Sequence, residues 1–196
     1  MTSKKNGALA LALSLAVLGG IAAPGTARAD HQIDQPFTGT RPFQLEFHGG
    51  LAWYGFGFAG GARFGIPLLQ NGFIPSLDNA VYLNFGVDAY FVDEPGCRVR
   101  GGGVCTYDGY GFAMGFPVAL HWEFYFNDMW SAFAELGFQV FLPPSLFRGY
   151  GADYTNHIGQ WVVAAVGGSL HLGDVVALTL RVGNPYISFG ITLNLG

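Results

Sequence analysis

The sequence predicts an all-β protein, an eight-stranded antiparallel up-and-down transmembrane β-barrel with a cleaved signal peptide. Three observations predict it. Aromatic residues make up 16% of the 196 residues and charged residues only 11%, with 31 glycines; a typical soluble domain carries about 25% charged residues. After residue 29 no apolar run reaches the roughly 20 residues that a membrane-spanning helix requires. Instead the chain alternates repeatedly between large apolar and small or polar residues, which places the two sets on opposite faces of strands. The last such stretch is the clearest: Ile187, Phe189, Ile191, Leu193 and Leu195 fall on one face, Tyr186, Ser188, Gly190, Thr192 and Asn194 on the other. Apolar outward and polar inward is the pattern of a barrel in lipid.

The amino terminus is set apart. Lys4 and Lys5, an apolar core from Ala8 to Val17 and Ala27-Arg28-Ala29 before Asp30 make the pattern of a secretory signal peptide over residues 1–29. Gly19, Gly20 and Pro24 interrupt the apolar run, against a membrane anchor. This segment holds three of the nine basic residues and none of the thirteen acids. The remainder therefore has six arginines, no lysine and a formal charge of −7. Such a chain has no basic patch to follow phosphates, which excludes nucleic acid as a partner. Residues 30–40 read as a short polar segment leading into a barrel domain over 41–196.

The first strand, near Arg41–Tyr54, directs Phe43, Leu45, Phe47, Leu51 and Trp53 outward and Gln44, Glu46 and His48 inward. Gly55 to Gly57 turn the chain into the second strand, near Phe56–Leu69, with Arg63 inward. The third, near Ala80–Val92, has Val81, Leu83, Phe85, Val87 and Phe91 outward and Tyr82, Asn84, Asp88 and Tyr90 inward. The fourth, near Gly111–Phe126, sends His121 and Glu123 inward and contains Pro117, where a bulge or break is expected because proline cannot donate to the ladder. The fifth, near Trp130–Leu142, turns Ser131, Glu135 and Gln139 inward. The sixth, near Ile158–Leu172, is apolar on both faces, with Trp161, Ser169 and His171 assigned inside. The seventh, near Val175–Val182, has Thr179 and Arg181 inside, and the last strand closes the barrel.

The connections sort by length. Asp93–Tyr110 and Pro143–Asn156 are long and lie at one end; the end with both termini has two tight turns and one of moderate length. Membrane barrels keep short turns periplasmic and long loops outside. Cys97 and Cys105, the only cysteines, fall in the first long loop, and in an oxidising compartment their default is a loop-closing disulfide. Two thiolates without neighbouring histidines make a poor metal cage. Trp53, Tyr54, Tyr90, Phe91, Tyr110 and Phe112 at one end, and Trp122, Phe124, Tyr125, Phe126 and Trp130 at the other, suggest two interfacial girdles.

Ser188-x-Gly190-x-x-Leu193-x-Leu195 resembles the carboxy-terminal targeting signal of outer-membrane barrels, although the chain ends Leu195-Gly196 where relatives commonly end on Phe or Trp. With the signal peptide, this makes the chain similar to the small eight-stranded outer-membrane β-barrel superfamily of Gram-negative bacteria, the OmpA-, OmpX- and OmpW-like proteins. The resemblance implies insertion by the barrel assembly machinery and lipopolysaccharide and outer-membrane lipids as surroundings; as a working expectation the protein is a monomer.

An eight-stranded barrel is just wide enough for its own side chains to fill. Glu46, His48, Arg63, Asp88, His121, Glu123, Glu135 and Arg181 all project inward and must pair to survive burial. A turn at Gly55–Gly57 sets Arg63 beside His48 and diagonal to Glu46; a turn over Asn127–Met129 sets His121 across from Glu135. The expectation is a lumenal network with Arg63 central, a plugged barrel and a structural or surface-interaction role. The alternatives are a narrow channel or carrier for small or apolar solutes, favoured if Pro117 opens a lateral gap, and a lipid A-modifying enzyme built on Ser169, His171 and Glu135. Ser169-x-His171 matches no catalytic spacing, and no cofactor or metal site is expected; Gly101-Gly102-Gly103 lacks the following helix of a phosphate loop.

Overall fold

A computed structural model describes residues 31–53, 57–93, 98–100, 104–106, 110–142 and 159–196. The expected signal peptide, Asp30, Tyr54, Cys97 and the Pro143–Asn156 loop lie outside them. The strands are β1 (Phe43–Ala52), β2 (Phe58–Leu69), β3 (Asn79–Asp93), β4 (Arg98–Arg100), β5 (Val104–Thr106), β6 (Tyr110–Tyr125), β7 (Trp130–Leu142), β8 (Gly159–His171), β9 (Val176–Asn184) and β10 (Tyr186–Leu195). Eight of them close a barrel in the order β1-β10-β9-β8-β7-β6-β3-β2, every neighbouring pair antiparallel, while β4 and β5 form a separate hairpin. Closure is made by β10 on β1 over ten rows, from Phe43 opposite Leu195 to Ala52 opposite Tyr186. In the β4–β5 hairpin Cys105 lies opposite Val99.

Alternation decides which way each strand faces. On β1, Glu46 and His48 are buried while Phe43, Phe47 and Leu51 are exposed; on β7, Glu135 and Gln139 are buried while Leu136 and Phe138 are exposed. The ambiguous strand, β8, turns Val163 and Ala165 inward and Val162 and Val166 outward. Phe133 also points inward, between Ser131 and Glu135. Two girdle candidates are buried inside: Tyr90, as the inward face of its strand predicts, and Tyr125. Val81, on the outer face, is buried too, at the row where it opposes Leu69 and Trp122 and where Phe73 packs edge-on against Trp122.

The break expected at Pro117 occurs on one side of the strand only. Strand β6 runs through Pro117 without a bulge, in unbroken register with β7, where Pro117 faces Gln139. On the β3 side the ladder lapses at Gly86 and Val87 and resumes in the same register. One absent amide hydrogen accounts for that lapse. The register shift lies elsewhere, between Pro67 and Leu69 on β2. The first hairpin is also shifted: Glu46 opposes Arg63 and His48 opposes Gly61. Trp53 explains it. Its backbone N–H donates to Pro185 O and its indole N–H to Gly183 O, so the chain leaves the β1–β2 ladder at Ala52.

The bore is narrow, and glycine makes room in it. A Cβ on Gly61 would lie 2.6 Å from the Asp88 carboxylate, on Gly65 2.7 Å from Asn84, on Gly115 2.2 Å from Gln139, and on Gly167 2.2 Å from the Phe133 ring. Large inward side chains thus lie flat over glycines of adjacent strands. On Gly86 the added Cβ would sit 2.1 Å from Ala62 O, a backbone atom that cannot swing away.

Residues 31–41 do more than lead into β1. They fold across the end that carries the termini. Gln32 bridges to Asn127, Asp78 N–H donates to Ile33 O (3.0 Å), and His31 N–H donates to Asp128 Oδ1 (2.8 Å). The His31 ring stacks between Phe37 and Tyr125, and the Arg41 guanidinium lies over the same two rings.

Candidate functional site

The lumen gathers most of the chain's buried polar chemistry. At its centre, β7 presents Glu135 and β9 presents Arg181. Arg181 Nε donates to Glu135 Oε2 (2.9 Å) and its terminal nitrogens to Glu46 Oε1 and Oε2 (2.6 and 2.8 Å). The same guanidinium reaches Glu135 Oε1 at 3.1 Å. Arg63 donates to Glu135 Oε2 (3.0 Å) and to the Tyr186 hydroxyl (2.6 Å). Glu135 therefore receives both guanidiniums, and His121 Nδ1 lies 2.9 Å from its other oxygen. The hub is Glu135 rather than Arg63, because Arg181 claims Glu46 although Arg63 stands opposite it in the ladder.

Above this layer, toward the long loops, the Tyr186 hydroxyl donates to Asp88 Oδ2 (2.9 Å), which leaves His48 Nε2, also 2.9 Å away, as a donor to Tyr186. Asp88 lies 3.1 Å from His48 and 3.7 Å from Arg63. Tyr90 donates to Gln139 Oε1 (3.0 Å). Below it, Glu123 accepts from the hydroxyls of Ser131 (2.6 Å) and Tyr125 (2.8 Å), with His121 Nε2 3.6 Å away. The eight residues singled out in the sequence thus occupy one buried column, hydrogen-bonded except at its lower end, where the 3.6 Å His121–Glu123 ion pair joins Glu123 to the rest. Four carboxylates meet two guanidiniums in it, and His48 and His121 each lie between two of the carboxylates. Several buried atoms, including Arg63 Nε and Asn84 Oδ1, make no hydrogen bond within the protein.

Sequence reasoning missed three participants. Tyr186 was assigned inward without a role, yet it joins Arg63, His48 and Asp88. Tyr125, assigned to a girdle, caps Glu123. Phe133 packs against His121 at 4.4 Å between ring centroids. The strict alternation of β6 and β7 carries the signal for the last two; nothing local marks Tyr186 as a junction.

Ser169, His171 and Glu135 do not converge. Ser169 lies 3.4 Å from Thr179, His171 Nε2 lies 2.9 Å from Ser131, and Glu135 is held by the arginines. Since Ser131 gives its proton to Glu123, His171 donates to Ser131 instead of receiving from it. A small cavity beside these groups, with about 10 Å³ open to the centre of a water molecule, is lined by Gln44, Glu46, His121, Glu123, His171 and their neighbours. That is room for about one water. No group of three or more His, Cys, Asp or Glu side chains is placed to hold a metal ion among the described residues. Ser188 is buried within 3.5 Å of Arg181, Gly190 underlies Glu46 and His48, and Leu193 and Leu195 continue the outer face of β10. No protein-family model matches the chain, and no curated protein matches it in sequence.

Proposed function

We propose that this chain is an integral outer-membrane β-barrel protein with a plugged polar lumen and a structural or surface-interaction role. The observation that carries the reading is the inversion of polarity across the wall. Phe47, Leu136, Phe138, Val162, Val166 and Leu180 stand exposed around the barrel, while Glu46, Arg63, Asp88, Glu123, Glu135 and Arg181 are buried inside. A soluble barrel gains nothing by exposing such a belt, since contiguous apolar patches of this extent mark contact with lipid or protein. Strands of about 10 residues tilted by roughly 40° span about 25 Å, the height of the lipid-facing band in such barrels.

In this reading residues 1–29 are removed on export, both termini are periplasmic, and the assembly machinery inserts the chain as a monomer among outer-membrane lipids and lipopolysaccharide. Cys97 and Cys105 form a disulfide outside the cell; alkylation should then add mass to both only after reduction. The protein performs no catalysis and needs no cofactor. Fractionation of cells with gels of boiled and unboiled samples tests the placement: an outer-membrane band whose mobility shifts on boiling is expected, and a soluble periplasmic protein without a shift overturns it. Small-solute flux into vesicles carrying the refolded protein tests the plug. Flux equal to that of empty vesicles is expected; faster flux replaces the plugged barrel with the channel or carrier.

A further inference from the structure

We infer that residues 31–41 form a detachable stopper that controls entry of water and small ions to the Glu123–His171 chamber from the end carrying the termini. The stopper is held by few, concentrated contacts. Asp78 alone holds two of its side chains, His31 through Nδ1 at 2.7 Å and Arg41 through its guanidinium. Phe37 and Tyr125 sandwich those same two side chains, with the Arg41 guanidinium carbon 3.6 and 4.2 Å from the ring centroids and His31 stacked at 5.5 and 4.7 Å. Remaining anchors are hydrogen bonds to turns: two from Arg41 to Gln70 Oε1 and O, and one each from Phe37 N–H to Asn71 Oδ1 (3.2 Å), His31 N–H to Asp128 Oδ1 and Asp78 N–H to Ile33 O. No strand ladder fixes it beyond the Gln32–Asn127 bridge.

Its seat touches two residues that line the chamber, Glu123 and His171. Tyr125 meets the stopper with its ring and donates its hydroxyl to Glu123, while His171 packs against the same ring at 5.7 Å. Below lie Ser131, His121 and the one-water cavity. A segment that lifts off Asp78 therefore bares the Tyr125 ring, which caps Glu123 and packs against His171. Local openings of this kind occur well below the free energy of global unfolding.

The test uses the full refolded protein in detergent micelles, with hydrogen–deuterium exchange and carbethoxylation of His171 by diethyl pyrocarbonate read by mass spectrometry. Asp78→Asn removes the shared charge, and Phe37→Ala removes the stacked ring without touching Asp78. In each, amides of 31–41 and of Asp78 should exchange about tenfold faster or more, as expected for loss of a charge-assisted contact. His171 should be modified several-fold faster, with β-strand amides as protected as in the wild type. The inference is overturned by unchanged stopper exchange and His171 modification in both variants. It is equally overturned if strand amides lose protection together with the stopper, since the segment would then belong to the barrel's single cooperative unit.

Discussion

Arg181 is the residue on which the lumen depends most. It spans Glu46 and Glu135, on strands β1 and β7 that do not pair, and removing it leaves Glu46 buried without a guanidinium and Glu135 with Arg63 alone. Breaking a buried pair by deleting one partner costs about 3–5 kcal/mol. Arg181→Met should therefore lower stability by about that amount, and by more than Arg63→Met, because Arg63 touches only one oxygen of Glu135. Urea unfolding of both variants in lipid decides it; equal midpoints would show that the guanidiniums are interchangeable. The inward position of each charged residue was legible from alternation alone, and the His121–Glu135 contact followed from the tight turn at Asn127–Met129. Which carboxylate each arginine takes was not legible. That depends on how far a long side chain reaches across the bore, information absent from any single strand.

At the scale of the strand, glycine carries a meaning that composition conceals. Read from the sequence, the glycine content favours a barrel without marking positions; Gly61, Gly65, Gly86, Gly115 and Gly167 lie inside strands facing the bore. Gly86→Ala forces a Cβ against a carbonyl of β2, and we expect failure to refold or a loss of several kcal/mol, in keeping with overpacked sites. Gly49→Ala is the control: its nearest neighbour would be 3.9 Å away on the outer face, so its melting temperature should stay within a degree or two of the wild type, about 0.5 kcal/mol or less. Strand boundaries came within a few residues of observation because the period of two is long and strict. The first hairpin slipped because Trp53 bonds to Gly183 and Pro185, partners at least 130 residues away in the chain for which no local rule exists. The stopper was missed for the same reason: His31, Arg41 and Asp78 look like ordinary polar residues until the two ends of the barrel are built.

For the whole molecule, the decisive quantity is the medium outside the wall. Leu136 is 67% exposed in mid-strand, opposite Leu120 and Ala164. Leu136→Arg should cost about 2–4 kcal/mol if lipid surrounds it at the bilayer midplane. In water the same change should be close to neutral. Comparing the variant's unfolding in bilayers and in detergent-free buffer separates the two settings; no loss in bilayers would remove lipid from the outer surface. The pairing of bulk with absence inside the wall also bears on engineering. Because Gln139 lies over Gly115 of the adjacent strand, shortening it to alanine leaves no side chain at that glycine to take up the space. The bore could be widened row by row with the outer surface untouched, making this small barrel a starting scaffold for a sensing pore whose diameter is chosen in steps of one side chain.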